Sequence, residues 1–205
     1  LAARFNVSFH AFPDALTWLE ACRDLEFDWL INLWSSRILS KEQLNKAKQK
    51  VNLHPSFVPY CLGSDTATWA LLTGAPRGVA LLDMNEKVDE GGIYLTKQLK
   101  NEYPIRAIDL QQSLKKASIN LFIDNWGKLY EGKVKSRSIG RVESKFTRTN
   151  TLNSQVKNIQ ELNNGEKKML DWIFAHDFGS NSQATIIFGD KVIKINAVIE
   201  NASEQ

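Results

Sequence analysis

At 205 residues and 23.2 kDa, with 43% hydrophobic and 24% charged residues, the chain suits one domain with a real hydrophobic core. Six tryptophans exclude a disordered chain, no apolar run approaches the roughly 18–20 residues of a bilayer span, and no charged-then-apolar leader points to export. A net charge of +3 confines any polyanion affinity to a local patch, and two cysteines form no disulfide framework, so a cytoplasmic setting is expected.

In chain order, residues 4–12 alternate, with Phe5, Val7 and Phe9 on one side, and predict a strand that carries His10. Pro13 and Asp14 punctuate it. Asp14 caps a predicted long helix in which Ala15, Trp18 or Leu19, Cys22, Leu25, Trp29 and Leu33 recur at helical spacing, with a break near Glu26 as the variant reading. Ser40 and Gln43 form a capping box that opens a polar helix through SKEQLNKAKQKV. Residues 54–63 contain two prolines and admit at most an edge strand over 57–62. Asp65 or Thr66 opens a short helix to Leu72, Gly74 and Pro76 end it, residues 78–84 read as a buried strand, and 85–92 form an acidic loop.

Asp109 and Gln112 make a second capping pair, followed by the helical stripe Leu110, Leu114, Ala117 and Leu121, with Gly127 and Gly132 as terminators. Two short solvent-facing strands are expected in KVKSRSIGRVESKFTRT, and residues 150–164 are expected to be a mobile loop. A helix over 165–178 turns Met169, Leu170, Ile173 and Phe174 inward, and residues 184–200 form a hairpin around Gly189-Asp190. This order predicts an α+β fold, mainly an antiparallel sheet packed against several helices, in a single domain over 1–205.

The main chemical lead is basic. Lys128, Lys133, Lys135, Arg137, Arg141, Lys145 and Arg148 stand against only Glu131 and Glu143, and alternating cations on a strand meet successive phosphates. Trp126 adds a surface on which a base stacks. These residues predict a nucleic-acid or polyanion partner; cations guarding an exposed sheet edge are the plainer reading. Asp124 with Glu143-Ser144-Lys145 imitates a nuclease metal pattern, but Asp124 falls on a helix. Cys61, His176 and Asp177 have the residue types of a nucleophilic set, yet neighbouring helix side chains diverge. The three scattered histidines have no metal-ligand spacing, so no metal and no resident cofactor are expected. GAPRG follows a helix and precedes a strand, the reverse of a phosphate-binding loop.

Asp65-Thr66-Ala67-Thr68-Trp69, eight residues, and then Gly78-Val79-Ala80-Leu81-Leu82 resemble a segment of a widespread bacterial family of unknown function whose layout is similar to ADP-ribosyltransferases. The resemblance implies NAD as cosubstrate, with His10 holding its ribose and Glu143 stabilising the positive charge that develops as nicotinamide leaves. Here Leu72 and Pro76 replace an aromatic and a histidine of that family. Three functions are thus expected in order: a nucleic-acid-binding module, an ADP-ribosyltransferase-like enzyme, and a partner-binding protein that uses the C-terminal hairpin.

Overall fold

A computed structural model describes residues 15–35, 38–87, 89–100, 102–140, 142–162 and 165–200; the strand expected over 4–12, with His10, and Arg141 lie outside the described residues. Helix α1 (Ala15–Ala21) leads to β1 (Phe27–Leu33), α2 (Lys41–Asn45), β2 (Ala47–His54), β3 (Leu62–Gly63), α3 (Thr66–Thr73), β4 (Gly78–Leu82) and β5 (Ile93–Gln98). The long α4 (Ala107–Tyr130) is followed by β6 (Lys145–Phe146), α5 (Arg148–Gln155), β7 (Val156–Asn158), α6 (Glu166–His176), β8 (Ala184–Phe188) and β9 (Lys191–Ile195). The class is α+β, with mixed sheets against helices.

The principal sheet has the order β1-β2-β4-β5, parallel between β1 and β2 and antiparallel across the other two junctions. Side chains alternate across it. Val51, Leu53, Val79 and Leu81 join the core cluster that includes Leu110, Leu114, Ala117 and Leu121 of α4. Ala80 and Leu82 join a second cluster with Val58, Leu62 and Ile93. The period-two rule therefore puts Asn52 and His54 on the face away from α4, in register with Leu82 and Ala80.

Several sequence expectations change here. The long helix over 14–33 divides, because Phe27, Trp29, Ile31 and Leu33 also fall at every second position and pairing with β2 decides between the periods. The Ser40–Gln43 capping box forms as expected, but its helix stops at Asn45 and the chain continues as β2. Asp109 does not cap α4; its carboxylate accepts from Arg106 Nε at 2.8 Å. Strand β5 was not anticipated. Residues 57–62, expected as an edge strand, are mostly turn, and the basic segment forms one bridge, Arg137 to Ile93, before the short β6. Within 150–162, α5, β7 and a 3-10 turn stand where a loop was expected. Met169 and Leu170 face outward, while Trp172, Ile173 and Phe174 are buried.

His176, at the end of α6, is only 2% exposed, with Nε2 2.9 Å from Ser154 Oγ and Nδ1 3.2 Å from Trp172 O. Burial, aided by the charge of Lys157, pushes its imidazole down to about 4 from the ordinary 6.5. The unfolded chain then takes up this proton first as pH falls. Stability is therefore lost between pH 6.5 and 4, by up to about 3 kcal/mol. Urea midpoints at pH 7 and pH 4.5 test this: the fall is expected to shrink in His176→Gln, and an equal fall in both proteins contradicts it.

Candidate functional site

The carboxyl end of β2 carries Asn52 and His54 on one face, and the connection from β4 to β5 brings Asp89 to them. Asn52 Nδ2 donates to Asp89 Oδ1 at 3.1 Å, and the Gly63 backbone N–H donates to Asp89 Oδ2 at 3.0 Å. His54 Nδ1 lies 3.4 Å from Asp89 Oδ1. The carboxylate thus favours the tautomer with the proton on Nδ1 and leaves Nε2 as a lone pair. His54 is 3% exposed, and its Nε2 has no hydrogen-bond partner among the described residues. Burial pushes the His54 imidazole below its ordinary range, against the opposing pull of the Asp89 charge and the Cys61 backbone.

These residues line a cavity of about 900 Å³. One wall is apolar, from Leu33, Ile38, Leu39 and Leu44, and also carries Trp34, whose buried indole N–H has no acceptor among the described residues. Another wall holds Asp83, whose carboxyl is pushed up by burial, and the Asp65–Arg148 ion pair at 2.7 Å. The described non-glycine residues with positive φ are Trp34, Cys61, Asp65 and Asp89, and all but Cys61 line this cavity. Positive-φ residues of this kind gather at functional sites, which makes this cavity the candidate. A buried lone pair, a carboxylate beside the opposite ring nitrogen, and an amide N–H together make a set for general-base work on a substrate that bears a developing negative oxygen. No cluster of three or more His, Cys, Asp or Glu suited to a metal ion occurs among the described residues.

Of the described residues singled out from sequence, Arg148 lines the cavity and the others do not. His10 and Arg141 are outside the described residues, and Glu143 is exposed, away from the cavity lining. Lys133 pairs with Glu131 at 2.6 Å and Lys145 with Glu90 at 2.8 Å; Lys135 and Arg137 are exposed. Trp126 packs edge-on to Trp29 at 5.1 Å and against Phe122, so it serves the core of α4. Asp177 accepts from the Gly179 and Ala197 N–H groups and does not orient His176, and burial pushes the Cys61 thiol up. Sequence reading missed Asn52, His54 and Asp89. The signal was the alternation Lys48, Lys50, Asn52, His54 against Val51 and Leu53, hidden behind a strong helix cap.

The sequence profile of the Formyl transferase family matches residues 16–125, more than half of the chain. The chain is similar to methionyl-tRNA formyltransferases of two Prochlorococcus marinus strains. One is 33% identical over 108 residues, which is 52% of this chain and 32% of that protein. The other is 27% identical over 161 residues, 78% of this chain and 47% of that protein. The chain thus spans less than half the length of either of these curated relatives. Its fold matches a sugar N-formyltransferase from Shewanella sp. at TM-score 0.81 and 14% identity, covering 98% of this chain and 80% of that one. It also matches an N-formyltransferase from Helicobacter canadensis, in complex with folinic acid and dTDP-3-aminofucose, at TM-score 0.70 and 20% identity, covering 85% and 61%.

These findings overturn the ADP-ribosyltransferase-like resemblance and NAD with it, and they overturn the reading of residues 128–148 as a nucleic-acid or polyanion interface. The Trp69-to-Gly78 spacing has a packing reason. Trp69 stacks on Phe146 at 3.9 Å, and a Cβ on Gly78 would meet Lys97 O at 2.5 Å across the sheet. The family match also lies away from the hairpin on which the partner-binding reading relied.

Proposed function

The chain belongs to the formyl transferase family, and on that premise we propose that it transfers a formyl group from a reduced folate to a primary amine. The observation that carries this reading is the buried Nε2 of His54, without a hydrogen-bond partner among the described residues, beside Asn52 and Asp89 in one cavity. The cavity also fits the donor: Leu39, Leu44 and the Trp34 indole N–H suit a flat, hydrogen-bonding heterocycle, and solved neighbours hold folinic acid or tetrahydrofolate. When bound, the donor supplies an electrophilic formyl carbon on nitrogen.

His54, neutral at pH 7 because burial lowers its imidazole, takes the proton that the acceptor amine loses as its nitrogen bonds to the formyl carbon, and returns it to the donor nitrogen as that nitrogen's bond to the formyl carbon breaks. Asp89, held by Asn52 and the Gly63 N–H, stabilises the imidazolium that results. One Asn52 amide hydrogen is engaged by Asp89, and the other is left to donate to the formyl oxygen as it gains charge.

The amine of a nucleotide-linked sugar is the proposed acceptor, by likeness in fold to solved neighbours that hold dTDP-3-aminofucose or a UDP-linked formamido sugar. The work is proposed to be cytoplasmic, in keeping with the free, buried Cys22 and Cys61. Incubation with formyl-tetrahydrofolate and a panel of nucleotide-linked amino sugars is expected to add one formyl group to a panel member, read by mass spectrometry. Turnover of methionyl-tRNA alone would reassign the acceptor. Turnover of neither, with no donor binding by calorimetry, contradicts the proposal.

A further inference from the structure

The hydrogen bonds behind Asn52 form a directed chain. Asn32 on β1 is the register partner of Asn52 on β2. The backbone N–H of Ser35 donates to Asn32 Oδ1 at 3.1 Å, and Asn32 Nδ2 donates to Asn52 Oδ1 at 3.0 Å. Asn52 Nδ2 then donates to Asp89 Oδ1 at 3.1 Å.

An asparagine amide has two ends of similar shape and opposite hydrogen-bonding character, so its orientation is decided by its partners. A backbone N–H only donates. Ser35 therefore requires the oxygen of Asn32 at that contact, which turns the Asn32 amino group toward Asn52. That amino group in turn requires the oxygen of Asn52, which turns the Asn52 amino group toward Asp89. The carboxylate at the far end accepts only, and it demands the same orientation. Both ends of the chain agree, and Asn52, which lines the cavity, keeps a second amide hydrogen beyond the one given to Asp89.

Resting on the formyl-transfer reading above, we propose that Asn32 is a positioning residue: it fixes the Asn52 amide so that N–H, and not C=O, meets the reacting oxygen. With Asn32 absent, Asp89 is the partner among the described residues left to hold this orientation, and it sits at a loop position with φ 59. Leucine at position 32 removes the donor. Aspartate keeps the size and still accepts from Ser35, but it presents an oxygen to Asn52 Oδ1 and so favours the reversed amide.

The expected result is a fall in kcat of about 10-fold for Asn32→Leu, with a larger fall for Asn32→Asp, and donor and acceptor KM unchanged in both. A role in packing alone predicts the opposite order, since aspartate is the closer match in shape. A second readout needs no turnover. The Asn52 side-chain amide signals in an NMR spectrum of 15N-labelled protein, assigned by their loss in Asn52→Ser, are expected to shift and exchange faster with solvent in Asn32→Asp. Unmoved Asn52 signals in both variants overturn the proposal whatever the activity. If the wild type shows no turnover, the formyl-transfer reading fails, and the Asn52 signals still decide whether Asn32 holds the amide.

Discussion

Replacing His54 with alanine is expected to lower kcat/KM for formyl transfer by about a thousand-fold, within the range that general-base groups contribute. The imidazole carries the lone pair that the cavity leaves without a partner among the described residues, and it is buried against the Asp89 carboxylate. Donor binding is expected to survive, because the apolar wall around Leu39 and Leu44 is untouched. Stability is expected to fall as well, since truncation leaves a void where a buried ring stood and removes the Nδ1 partner of Asp89, so the comparison is made on protein shown to be folded. Single-turnover kinetics with calorimetric donor titration would check the split. A loss under ten-fold, with the protein folded and the donor bound, would remove His54 from the reaction.

Gly91→Ala is expected to be the most damaging single methyl addition in the loop that bears Asp89. A Cβ there would lie 1.8 Å from Asp83 O and 2.6 Å from Asp83 C, both backbone atoms that cannot rotate aside. The two ends of this loop are tied by the Asp83 N–H to Gly92 O bond at 2.7 Å. The added carbon therefore has to open the junction between β4 and β5. The expected cost is about 3 kcal/mol or more, typical of overpacking a site that cannot relax. Asp89 would shift with the loop, so activity should fall further than stability alone explains. Urea unfolding and kcat measured together test both parts. A loss under about 1 kcal/mol with full activity would show that the loop yields without moving Asp89.

His54 and Gly91 show why the site was hard to read from sequence. His54 precedes a proline and follows a segment that opens with a real capping box, so KAKQKV extends a helix on paper. In the fold the helix ends at Asn45, because β2 pairs with β1 along most of its length and with β4 at Asn52, Leu53 and His54. Asp89 stood in a loop read only as acidic, and Gly91 was one glycine among 11. The basic segment drew notice because its charges are adjacent in sequence. In space Lys133, Lys145 and Arg148 are each matched to a carboxylate, two of them from distant loops.

What the chain reveals by itself is local: the Ser40 cap, the helix before Gly74, the wholly apolar β4, the stripe of α4, the C-terminal hairpin, and from their order the α+β class. Each rests on partners within a turn or two of helix, or across a two-residue turn, where periodicity and capping chemistry act directly. The choice of strand over helix for 27–33 and for 47–54, and the meeting of Asn32, Asn52, His54 and Asp89, came only with the tertiary structure. Asn52 reaches back 20 residues to Asn32 and forward 37 to Asp89, and no local propensity encodes a hydrogen bond across such a span. Strand pairing supplies the energy that overrides the helical preference, and that same pairing sets the two amides and the imidazole side by side.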